Sequence, residues 1–179
     1  PLLIHGLSLE QKLQKKLGQG YRVRLAMNYR QPNVKTVVEQ MLELPVERII
    51  AFPLFPQYAS STTGSMIEKI LKMLATRYTI PAITTVMQYY DHPAYLEALA
   101  SCISAYDYPA FDHLVFSYHG LPLRQVNQSH PGYSCDKLLC SKEVSPENRY
   151  CYHAACYATS RLLAGKLKLD EEKYTVCFQ

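Results

Sequence analysis

Apolar and polar positions along the chain fall into short segments whose period switches between two and about 3.6 residues. Residues 21–27 alternate apolar with basic side chains and predict a strand. Pro32 then opens a helical stretch in which Val34, Val37, Val38, Met41 and Leu42 share one face. Residues 48–55 predict the next strand, and the continuous apolar run Ile49, Ile50, Ala51, Phe52 is of the kind buried on both faces of a parallel sheet. Ser61, Thr62 and Thr63 offer N-caps to a helix carrying Met66, Ile67, Ile70, Leu71 and Leu74. A strand over residues 82–88, a helix over 91–105, a strand from Leu114, a helix over 154–167 and a terminal strand from Thr175 complete the pattern. Repeated strand–helix units predict an α/β fold of parallel sheets flanked by helices, with right-handed crossovers.

Two strand ends carry candidate chemistry. Leu114, Val115 and Phe116 read as a short buried strand that Gly120 and Pro122 stop, which puts His119 at its carboxyl end, where open α/β sheets bind ligands. The stretch FPLFPQYASSTTGS, residues 52–65, closes another strand and is expected to open on the same edge. Phe55, Pro56 and Tyr58 offer flat apolar surface there; Gln57, Ser60, Ser61, Thr62 and Thr63 offer neutral hydrogen-bonding groups. With no glycine-rich cradle and no Gly-Lys-Ser/Thr motif, a flat organic ligand suits the stretch better than a phosphate. An ordinary turn with an N-cap also accounts for Ser61 or Thr62, and a satisfied loop histidine for His119.

Composition narrows the class. With 179 residues, 48% of them hydrophobic, the chain can bury a core of one domain or a little more. The net charge of +4 comes from 19 basic and 15 acidic side chains that are well mixed, so no basic stripe points to nucleic acid. No apolar run approaches the roughly 18 residues of a membrane span, and the expectation is a soluble, cytoplasmic-type protein. The chain opens on Pro1 and stops in strand-like sequence, as expected of a piece of a longer polypeptide.

FPLFPQYASSTTGS together with FSYHGLP, residues 116–122, closely resembles the ferrochelatases, which insert iron(II) into protoporphyrin IX in the last step of haem synthesis. The likeness extends through Asn28-Tyr29 and DHPAYLEALA, residues 91–100, to the terminal Cys-Phe-Gln. It implies two similar α/β lobes with a porphyrin cleft between them, residues 1–109 belonging to the first lobe and 110–179 beginning the second. It implies His119 as the base or metal-delivering group, with the substrate iron as its metal. Tyr29, Pro56, Gln57, Tyr58, Ser61 and Thr62 are implied to line the cleft or metal path. Many relatives have arginine where this chain has Asn28, which removes a charge there. The resemblance further implies a central piece of a bacterial-type enzyme, inactive in isolation because an earlier porphyrin-contacting segment and a later acidic helix are missing. Protoporphyrin IX and ferrous iron are the implied partners, and the family reading admits peripheral membrane association.

Four of the six cysteines cluster as Cys135-x4-Cys140-x10-Cys151-x4-Cys156, while Cys102 and Cys177 stand singly in apolar contexts. Clustered thiols in a reducing compartment point to metal more than to disulfides. Four thiolates can hold a [2Fe–2S] cluster, as some ferrochelatases do. The animal-type ligand position is Ser60 here, so the internal four cysteines are the expected set. Zinc and four unliganded thiols are the other readings, and His130 and His153 show no metal-ligand spacing of their own. A related tetrapyrrole chelatase and a non-catalytic α/β ligand-binding module also remain open.

Overall fold

The computed structural model describes residues 1–130 and 132–179. Its strands form two parallel pairs. β1 (Arg48–Ala51) lies in register with β2 (Ala82–Thr85), Ile49 opposite Ile83. β3 (Leu114–Tyr118) lies in register with β4 (Tyr174–Phe178), Phe116 opposite Val176. In chain order, α1 (Leu2–Leu17) and α2 (Val34–Leu42) precede β1, α3 (Ser65–Leu74) follows it, α4 (Pro93–Ser104) follows β2, and α5 (Leu123–Asn127) and α6 (Tyr152–Leu167) follow β3. The α/β class with parallel strands is the one the hydrophobic pattern predicts.

Contacts group the chain into two units, one of residues 1–51 and 65–85, the other of 52–64 and 86–179. α4 groups with the later residues because its Ala100 packs with Leu163 and Leu167 of α6, joined by Leu99, Ile103, Tyr108 and Phe116.

In the first unit, α2 starts two residues after Pro32 because Asn33 is the cap, its side chain accepting from Thr36 N at 3.2 Å. Val34, Val37 and Val38 are buried as their spacing predicts, and Ile67, Ile70 and Leu74 of α3 bury the matching stripe. Two expectations fail here. β1 buries Ile49 and Ala51 but leaves Ile50 52% exposed, because a two-stranded pair covers one face only. The strand over 21–27 is absent apart from an isolated bridge from Met27 to Asn33. Its amides go to side chains of α1 instead: Leu25 N donates to Glu10 Oε2 at 2.6 Å and Val23 N to Gln14 Oε1 at 2.9 Å. α1 itself is a helix that no expectation covers, and none of its residues is buried.

In the second unit, the Ser61-Thr62-Thr63 stretch is a single wide π turn, Ser60–Gly64, closed by Gly64 N donating to Ala59 O at 3.0 Å. α4 begins at Pro93 with His92 as its cap, Nδ1 accepting from Ala94 N. α6 buries most of its small residues, including Ala154, Ala155, Ala158 and Ala164. No helix among the described residues is long and apolar enough to cross a membrane.

Candidate functional site

The second unit holds two places where chemistry-bearing side chains gather. The first is the end of β3. The ladder runs on past the strand: Gln179 N donates to Tyr118 O at 3.0 Å and Gly120 N to Gln179 O at 2.5 Å. His119 is thus gripped on both sides through its backbone, while its side chain is exposed. Only glycine fits at 120, because an added Cβ would stand 2.9 Å from the Gln179 carbonyl oxygen, a backbone atom that cannot swing away. Pro122 then turns the chain into α5, whose Gln125 Nε2 donates to Ser60 Oγ at 3.1 Å. That bond joins the two stretches singled out in the sequence.

The loop it reaches has one inward and one outward side. Gln57 is buried and donates from Nε2 to Thr159 Oγ1 at 3.0 Å, so its amide serves packing rather than a ligand. Pro56 is half-buried; Tyr58 sets its ring edge-on to Tyr150 at 5.6 Å, over which Arg149 lies. Ser61 is exposed, and the Thr62 hydroxyl donates to Ala59 O at 3.3 Å. Phe52, Leu54 and Phe55 expose 40–53% of their surface, apolar area suited to a flat ring. Phe52 stacks on Tyr89, whose phenol burial pushes up to about 12, with Tyr95 adding to the shift.

Tyr29 belongs to the first unit, where it is 84% exposed. Lys69 lies over its ring at 5.1 Å and reaches both the carbonyl and the side-chain oxygen of Asn28. A cation therefore stands beside Asn28 although residue 28 carries none.

The second place is a buried thiol pocket formed where the loop after α5 folds onto the start of α6. His130 is 3% exposed, Cys140 1% and Cys151 0%. The ligand atoms of His130, Cys135, Cys140 and Cys151 all lie within 4.8 Å of one another. Cys135 Sγ is 3.7 Å from Cys151 Sγ and 3.5 Å from His130 Nε2, and Cys140 Sγ is 3.9 Å from that nitrogen. Burial pushes the Cys140 thiol up to about 11, with Cys151 adding to it, and raises Cys135 for the same reasons. Asn148, fully buried, donates from Nδ2 to Cys140 Sγ at 3.5 Å and to the Glu143 carbonyl.

The structure therefore brings together three of the four cysteines expected as a set and replaces the fourth. Cys156 is buried on α6 beside Tyr152, and burial pushes its thiol up to about 12. Cys151 is the extended cap residue before α6, and its thiol adds to the Cys156 shift. His130 rather than Cys156 completes the close set of four. The sequence does carry a signal for it, His130-x4-Cys135-x4-Cys140, an even spacing that a search by cysteines alone passes over. His153, which has no metal-ligand spacing in the sequence, packs on Phe178 with ring centroids 4.3 Å apart, and burial lowers its pKa, helped by His130.

Close to the thiol pocket, and sharing Asn127 with its supporting bonds, an open cleft of about 470 Å³ is lined by Arg124, Asn127, Gln128, Gly132, Tyr133, Ser134 and Lys137. His119 does not line it.

The sequence model of the ferrochelatase family matches residues 1–179. A protein of Legionella pneumophila (strain Philadelphia 1) named ferrochelatase is 40% identical over 182 residues, covering all of this chain and 53% of its own length. One of Coxiella burnetii with the same name is 32% identical over 186 residues, covering all of this chain and 50% of its own length. The chain thus spans about half the length of the curated relatives it matches. With a match that runs from its first residue to its last and takes in both strand-end motifs, this chain belongs to the ferrochelatase family.

Proposed function

We propose that the protein carrying this chain inserts ferrous iron into protoporphyrin IX to give protohaem, with His119 at the reacting centre. The observation that carries this reading is the strand end itself: an imidazole presented to solvent by a backbone fixed on both sides, and joined through Gln125 and Ser60 to a loop with apolar surface. Porphyrin metallation breaks two pyrrole N–H bonds and forms four nitrogen–iron bonds, so two protons must leave as the iron sheds its water. An imidazole can accept such a proton and can also pass the metal on. Phe52, Leu54, Phe55 and the Tyr58 ring supply apolar surface for the macrocycle. Ser61 and Thr62 sit at the rim of the same turn. Six free cysteines suit a reducing compartment, the cytoplasm.

The test is anaerobic insertion of ferrous iron into protoporphyrin by the intact protein. His119→Ala should lose the reaction yet bind porphyrin within about tenfold of wild type, since the apolar surface remains. Turnover near wild type in that variant removes His119 from the mechanism. Porphyrin binding with no insertion by the wild type would favour a ligand-binding module instead.

A further inference from the structure

The thiol pocket lies apart from the chemistry assigned to His119, and its geometry disagrees with the cofactor expected from four cysteines. A [2Fe–2S] cluster divides its protein ligands two and two between a pair of irons, so ligands of opposite irons must stand apart by the width of the cluster core. Here all four ligand atoms fall within 4.8 Å of one another, and Cys156 is not among them.

We propose that His130, Cys135, Cys140 and Cys151 hold a single tetrahedral ion, zinc, as a closed structural site. Zinc bonds of about 2.3 Å to sulfur and about 2.0 Å to nitrogen place tetrahedral ligand atoms about 3.8 Å apart for two sulfurs and about 3.6 Å for sulfur and nitrogen. The pocket shows 3.7 Å between Cys135 and Cys151, and 3.5 and 3.9 Å from His130 Nε2 to Cys135 and Cys140. At 3.7 Å the two sulfurs are not bonded to each other, and all six cysteines are free.

The surroundings are arranged for ligation. His130 Nδ1 lies 3.3 Å from the Tyr133 carbonyl, which can only accept, so the ring proton belongs on Nδ1 and the Nε2 lone pair faces the thiols. The Asn148 amide donates to Cys140 Sγ, stabilising a thiolate there, and the Asn127 side-chain oxygen accepts from Cys135 N at 3.3 Å. Four protein ligands, three of them buried, leave no open position, which marks a structural ion rather than a reactive one. Binding exchanges three thiol protons for one divalent cation: the three thiols become thiolates, the protons leave to solvent, and nothing is oxidised or reduced. The ion would hold the turns between α5 and α6, where Val126 packs with Cys140, Cys151 and Ala154, and Leu121 and Leu138 pack against them.

The experiment is metal analysis of the protein as purified, followed by replacement of its metal with cobalt(II). The expected result is a colourless protein with about one zinc per chain. The cobalt form should show thiolate-to-cobalt charge transfer and the strong visible bands of a tetrahedral site. Cys156→Ala should retain metal content and cobalt spectrum, and His130→Cys should retain a tetrahedral spectrum with one more thiolate. His130→Ala should bind cobalt at least tenfold more weakly. Should that variant fold poorly, Cys156→Ala and the wild-type metal count still decide. Two irons with acid-labile sulfide per chain, and a brown colour lost in Cys156→Ala, would overturn the proposal. So would a wild-type protein that stays metal-free and fully stable in the presence of zinc.

Discussion

Two histidines flank α5, and they differ in each property that decides what an imidazole does. His119 is exposed at a strand end, held only through its backbone by Gln179, with apolar side chains on the neighbouring loop. His130 is 3% exposed, fixed at Nδ1 by a carbonyl and turned at Nε2 toward two thiols. An open position at a rigid strand end is where a substrate can exchange protons or metal; a closed set of four donors is where a metal stays. Residue type alone does not separate the two roles. What separates them is whether the side chain or only the backbone is fixed.

The largest effect that can break this comparison is His119→Ala. Loss of a positioned proton acceptor should lower insertion by about 10²- to 10⁴-fold, while the metal content of the thiol pocket stays at the wild-type value. Measuring both on one preparation is decisive, because a variant that also loses pocket metal would show that the two histidines belong to one site. The reverse experiment should be asymmetric. Val126 of α5 packs against Cys140, Cys151 and Ala154, so stripping the pocket metal with a chelator should loosen α5 as well as the 130–151 turns. Thermal stability should fall by roughly 10 °C or more, and insertion should fall with it although His119 is untouched. Unchanged melting after verified metal removal would return the cysteines to plain core residues.

Much of this was legible in the sequence, for reasons that also explain what was not. β3, α6 and β4 are each expected from local composition; Gly120 and Pro122 stop β3, and Lys168 ends α6 in a left-handed cap. The strand over 21–27 fails because a strand needs a partner ladder, a non-local fact, and here the polar side chains Glu10 and Gln14 take the amides first. The burial of Ile50 fails for the same reason, since the apolar run does not say how many layers cover it. Gln57 reads as a ligand group until its partner, Thr159 on α6, is known. His130 escapes notice because a ligand set assembled by turns is ordered by space: it stands in the close set with Cys151, while Cys156, nearer to Cys151 in sequence, does not.

Gly120 offers a smaller test of whether the backbone really fixes His119. Gly120→Ala places a Cβ 2.9 Å from Gln179 O and 3.2 Å from its carbonyl carbon, both backbone atoms, so the end of the β3–β4 ladder has to shift. A cost of about 1–2 kcal/mol and a roughly tenfold loss of insertion from misplacement of His119 are expected, with pocket metal unchanged. Denaturant melts, insertion rates and metal analysis together check it. If insertion persists at the wild-type rate despite the lost stability, the strand end does not position the histidine.

The smallest effect concerns Tyr118, the residue before His119, which reaches into the helix that carries Cys151 at its start. Its hydroxyl lies 2.8 Å from Ser160 Oγ, and since Ser160 donates to Cys156 O at 3.1 Å, Tyr118 is the donor of the pair. Burial holds the Tyr118 phenol well above the usual tyrosine range; the Ser160 bond works against that shift, and Cys156 and Tyr95 add to it. Below about pH 10 the phenol is protonated in both folded and unfolded chains and contributes no pH dependence. Above it the unfolded chain gives up its proton while the folded one keeps it, so wild-type stability falls by up to about 1.4 kcal/mol per pH unit for this group. Tyr89, pushed up to about 12, acts in the same sense. Tyr118→Phe should therefore cost about 1 kcal/mol at pH 8, one hydrogen bond, with Ser160 still satisfied by the Cys156 carbonyl. As pH rises beyond 10 the variant should be spared that part of the decline, and its deficit should shrink and then reverse. Urea melts of both proteins between pH 8 and pH 11 measure the crossing; a constant gap would mean that Tyr118 ionises as freely folded as unfolded, and that β3 is not anchored to α6 through this bond.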